Sequence, residues 1–74
     1  MKRTAVPRPW MPELRTKLGI SPDDLAERVD VTAYYISNIE RGISRPSPEL
    51  AIAIGAELGL SESESLVRFF GKIA

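Results

Sequence analysis

The segment VTAYYISNIERG, residues 31–42, decides how the rest of the chain is read. Thr32 suits a helix N-cap, because its hydroxyl can accept from a first-turn amide that lacks an intrahelical partner. At about 100° per residue, Tyr35, Ile36 and Ile39 gather on one side of the helix that follows. Tyr34, Ser37, Asn38 and Arg41 gather on the other side, with Ala33 at the edge. Gly42 ends the helix, since glycine enters the left-handed region freely. The outward face is polar, yet it holds no cation before Arg41.

Working back from Thr32, only Asp30 and Val31 separate this helix from an earlier one. That earlier helix opens on Ser-Pro-Asp-Asp at 21–24: Ser21 caps, Pro22 fits the first helical position, and both aspartates suit the positive helix end. Leu25, Ala26 and Val29 point inward. Two short helices joined by so tight a turn form a helix-turn-helix. Ala26 is small enough to let the second helix cross closely. Asp30 tolerates the left-handed turn conformation, though less readily than glycine.

Three further helices flank this pair. Upstream, Trp10, Leu14 and Leu18 form a stripe at i, i+4, i+8, with Pro12 in the first turn and Gly19 as the stop. Downstream, Ser47-Pro48-Glu49 starts a helix whose stripe is Leu50, Ile54 and Leu58. Gly55 lies beside that stripe, where it permits close helix approach. Gly59 ends this helix, and Ser61 with Glu64 makes a capping box for the last. There Leu66, Phe69, Phe70 and Ile73 fall at i, i+3, i+4, i+7. Residues 1–9, MKRTAVPRP, are read as a basic, extended, mobile arm, and 10–74 as one all-α, five-helix domain.

Composition removes several function classes. The chain of 74 residues has no cysteine and no histidine, so it offers no disulfide, no thiol chemistry and none of the usual zinc ligands. It shows no glycine-rich phosphate loop and no metal-spaced ligands, which argues against an enzyme. No cofactor is expected. No apolar run approaches the length of a membrane span, so a soluble, cytoplasmic protein is expected. Ten basic residues balance ten acidic ones, and net charge therefore does not favour a polyanion as partner. The distribution is uneven: Lys2, Arg3, Arg8, Arg15 and Lys17 face only Glu13 in the first twenty residues, and acids dominate the next twenty.

The run LRTKLGISPDDLAERVDVTAYYISNIERGISRPSPELAIAIGAELGLS resembles the lambda-repressor-like and Cro-like helix-turn-helix family, the XRE-type regulators. The most telling pieces are GIS at 19–21, LAERV at 25–29, YISNIERG at 35–42, RPS at 45–47 and LG at 58–59. The resemblance spans roughly residues 10–65. It implies a compact DNA-binding domain acting as a dimer on an inverted repeat of double-stranded DNA, with helix 32–41 in the major groove and half-sites roughly 34 Å apart. Carried over, it puts Ala33, Tyr34, Ser37 and Asn38 at base edges, and Thr32, Arg41, Ser44 and Arg45 at phosphates. Asn38 is the best base reader, because its amide can bond adenine bidentately. The sequence departs from the family at Pro22 and Ala33, where relatives often carry polar DNA contacts, and at Asp30, which replaces the turn glycine.

Arg15 and Lys17 are further phosphate candidates, each equally readable as a solvated surface cation. Lys2, Arg3 and Arg8 on the arm are candidates for a neighbouring groove. Leu66, Phe69, Phe70 and Ile73 are read either as a lid over the first helix or as a self-complementary homodimer contact. The resulting function is a sequence-specific transcriptional regulator, with repression as the expected sign. The alternative on the same fold is a protein-interaction module, such as an antitoxin that neutralises a protein partner.

Overall fold

The structure, a computed structural model, describes residues 6–71. It contains α1 (Trp10–Leu18), α2 (Pro22–Arg28), α3 (Ala33–Glu40), α4 (Pro48–Glu57) and α5 (Glu62–Phe70), with no strand among the described residues. Four helices start on a hydroxyl cap. Ser21, Thr32, Ser47 and Ser61 each accept from the amide three residues on. Ser21–Asp24 and Ser61–Glu64 are reciprocal capping boxes, the second as expected and the first with aspartate at the third position. The exception is α1, which starts behind Pro9 with no side-chain cap.

The helix-turn-helix turn is as tight as the sequence implied. Asp30 sits at φ 60, the one non-glycine residue with positive φ among those described. The Val31 amide reaches back to the Ala26 carbonyl at 2.9 Å, closing the turn. Ala26 is buried with Leu25, and α2 packs along α3 and against α4.

Met11, Leu25, Ile36, Ile39, Ala51, Ile54 and Leu58 form the centre of the core. Here α1 departs from its expected stripe. Met11 is fully buried, Trp10 and Leu14 are partly buried, and Leu18 is 53% exposed. The helix is turned by about one residue, and Leu18 stands at its last position, where the chain leaves at Gly19. Along the α4–α5 contact, Gly55 fulfils its expected role. A Cβ there would lie 1.7 Å from the Ser65 hydroxyl, so the two backbones meet only because the side chain is missing. Ser65 is fully buried and satisfied by the Ser61 carbonyl at 2.8 Å.

Phe69 belongs to this core rather than to an outer face. It is 6% exposed and meets the Trp10 ring edge-on at a centroid distance of 5.0 Å. The reading of Phe69 as a dimer contact is thereby corrected: it closes the domain over α1. Leu66 and Phe70 are half-buried, Val67 is exposed, and Ile73 lies outside the described residues.

Candidate nucleic-acid interface

The candidate interface is the N-terminal half and outer side of α3, with the loop that follows it. Thr32 accepts from the Tyr35 amide at 3.1 Å in an extended conformation, which fixes where the helix begins. No acidic residue occupies its first turn. The helix end therefore keeps its partial positive charge, carried by backbone amides rather than by cations. Tyr34 projects from this end and is 76% exposed, the most exposed large hydrophobic side chain among the described residues. Ala33 and Ser37 are half-exposed beside it, and Arg41 is exposed at the far end.

Asn38 does not join them. It is 8% exposed, although a helical projection puts it on the polar side. After Gly42 (φ 80) the chain turns back towards the end of the helix. The amides of Ile43 and Ser44 both donate to the Asn38 carbonyl, at 2.9 and 3.1 Å. Expected to stand open on the outer face, Asn38 is instead largely buried, and the loop's amides hold its backbone carbonyl.

Arg15 also differs from its expected setting. Its Nε donates to Glu40 Oε2 at 2.6 Å, Nη2 to Glu40 Oε1 at 3.2 Å, and Nη1 to the Ile20 carbonyl at 3.2 Å. With both side chains largely shielded, this guanidinium ties α1 to α3 instead of standing free for a phosphate. Lys17 is exposed, and so are Arg41 and Arg45. The Arg45 guanidinium lies over the Phe70 ring at 5.6 Å from its centroid.

The sequence reading missed the role of Arg8. Lys2 and Arg3 lie outside the described residues, but Arg8 is docked. Its amide donates to the Glu40 carbonyl at 2.7 Å, and its Nη1 donates to the carbonyls of Ile39 at 2.7 Å and Ser44 at 3.3 Å. Its guanidinium also lies 5.4 Å from the Phe69 ring centroid. Burial, and then the charge of Arg45, lower its pKa from the usual arginine value. One signal was available: the last turn of α3 carries no basic residue to meet its open carbonyls. Arg8 and Arg45 border a cleft of about 300 Å³, floored by Phe69 and Phe70 and closed by Val6 and Ile43.

Among the described residues no cluster of metal-ligating side chains occurs, and no helix is long and apolar enough to cross a membrane. The family model described as helix-turn-helix matches residues 13–65. An uncharacterised HTH-type transcriptional regulator of Methanothermobacter thermautotrophicus is 41% identical over 54 residues, covering 73% of this chain and 78% of its own. Among solved structures, the clp gene regulator ClgR of Corynebacterium glutamicum superposes with a TM-score of 0.73 at 27% identity, over 99% of this chain and 100% of that one. SinR, a master regulator for biofilm formation solved in complex with DNA, gives 0.67 at 30% identity, over 78% and 94% of the two chains. The chain belongs to the helix-turn-helix family and is a DNA-binding transcriptional regulator, not an enzyme.

Proposed function

We propose that this domain represses transcription by occupying an inverted-repeat operator as a homodimer, with α3 in the major groove. The observation that carries this reading is the start of α3. Tyr34 stands 76% exposed on a capped helix end with no acidic residue in its first turn, beside Ala33 and Ser37. An aromatic side chain left uncovered there suits contact with a thymine methyl or a sugar, and Ala33 and Ser37 allow close approach to base edges. Thr32, Lys17, Arg41, Ser44 and Arg45 hold phosphates, and the backbone amides of the helix end add to them. Pairing of two copies runs through the outer side of α5, where Val67 is exposed and Leu66 and Phe70 are half-buried.

Selection of bound sites from random duplex DNA tests the reading. The expected product is a two-fold symmetric motif whose half-sites lie about one helical turn apart. Sedimentation of the wild type and Phe70→Glu, each with the selected duplex, then reports two copies per site for the first and weaker pairing for the second. Failure to enrich any motif at low salt would remove the operator reading.

A further inference from the structure

We infer that residues 6–9 form a strap that sets the position of the C-terminal end of α3 and of the loop after it, with Arg8 as its positioning residue. The inference deepens the operator reading and rests on it for its DNA arm.

The last carbonyls of a helix have no intrahelical donors, and they are met by caps, by water or by cations. In α3 the Ile39 carbonyl accepts from the Gly42 amide at 3.1 Å and also from the Arg8 side chain 31 residues upstream, while the Glu40 carbonyl is met by the Arg8 amide, 32 residues upstream. The same guanidinium crosses to the Ser44 carbonyl, so one side chain joins the helix end to the returning loop. No carboxylate pairs with it among the described residues. Gly42 makes room for the strap. A Cβ there would lie 2.1 Å from the Val6 carbonyl oxygen and 2.4 Å from its carbon, so the strap backbone lies directly on the turn. On the far side Phe69 backs the Arg8 guanidinium, and Phe69 is itself fixed by Trp10.

These contacts assign Arg8 a different task from a basic arm on a neighbouring groove. Its Nη1 and its backbone amide are turned to carbonyls inside the domain. It thereby fixes where Arg41, Ser44 and Arg45 stand relative to the start of α3. A small displacement of one end of a reading helix misplaces every contact along it.

The test compares Arg8→Met, which keeps an apolar stem over Phe69 but removes the donors, with Arg8→Lys, which keeps a cation. In the free protein, amide exchange should rise by about tenfold at residues 41–45 in Arg8→Met while α4 and α5 keep theirs, and Arg8→Lys should recover part of the loss. On DNA, Arg8→Met should weaken the selected site by about tenfold and scrambled duplex by less, with the salt slope unchanged. Unchanged exchange at residues 41–45 would overturn the strap. So would a uniform rise through α4 and α5, which would make Arg8 a general fold contact. A salt slope lower by about 0.9 would put Arg8 on a phosphate instead. Should the wild type bind no duplex, the operator reading fails while the exchange measurement still decides the strap.

Discussion

Arg15 and Glu40 are joined at 2.6 Å between Nε and Oε2, and their side chains are only 12% and 13% exposed. The pair links α1 to the last residue of α3, and a second nitrogen of the same guanidinium holds the Ile20 carbonyl. Recognition and stability therefore meet at one end of α3, where Arg8 also bonds the Glu40 carbonyl.

The first prediction concerns this pair. Glu40→Ala leaves a shielded guanidinium without its counter-charge and should destabilise the domain by about 3 kcal/mol. Exchanging both partners, as in Arg15→Met with Glu40→Leu, should restore most of that, since an apolar pair carries no desolvation cost. Urea unfolding of the two variants measures the difference. Equal stability of Glu40→Ala and the wild type would show that the bridge is solvated in solution.

A second prediction follows from Glu64. Its carboxylate accepts from the Ser61 amide at 2.8 Å, and this bond is the main cause that holds its pKa below the usual carboxylate value. The Ser61 hydroxyl bond acts in the same direction, a weaker effect of burial opposes both, and the charge of Arg68 adds the smallest lowering effect. Because the folded value is the depressed one, the contribution is fully present above the ordinary value of 4.5 and is lost as pH falls through the folded value. Thermal melts taken down an acid series should show Glu64→Gln losing less stability with acid than the wild type. Parallel curves would mean the capping box is open in solution.

The third prediction uses the α4–α5 contact. Gly55→Ala places a methyl 1.7 Å from Ser65 Oγ and 2.6 Å from Ser65 Cβ, so the helices must separate. The expected loss is about 2 kcal/mol, typical of overpacking. Ser65→Ala in the same chain should recover little, because its Cβ stays in the way, whereas Ser65→Gly should recover more. Denaturant midpoints of the three variants give that order or contradict it.

The parts of the fold that were legible in the sequence are those set by neighbours in the chain. Ser21, Thr32, Ser47 and Ser61 act on amides three residues on, and Asp30 and Gly55 act through their own backbone or missing side chain. Arg8, Arg15 and Phe69 take their settings from distant segments: Arg8 meets Ile39 and Ser44 across 31 and 36 residues, and Arg15 meets Glu40 across 25. No periodicity encodes such contacts. Asn38 lies between these cases. A helical wheel treats the space around a helix as open, and it misses a chain that turns at Gly42 and comes back towards the end of the same helix.

The final prediction separates Tyr34 from Asn38. Tyr34 is 76% exposed, so Tyr34→Ala should leave the unfolding free energy within about 0.5 kcal/mol of the wild type. On the selected operator it should cost about 1–3 kcal/mol, with a much smaller loss on scrambled duplex, because a base or methyl contact exists only at the matched site. Asn38 is 8% exposed, so Asn38→Ala should act mainly on stability and lower both affinities alike once the folded fraction is taken into account. Titrations of both variants on both duplexes, beside their denaturant curves, give the comparison. If Asn38→Ala instead relaxes discrimination at one base pair while folding normally, Asn38 must become accessible on DNA and reads a base after all.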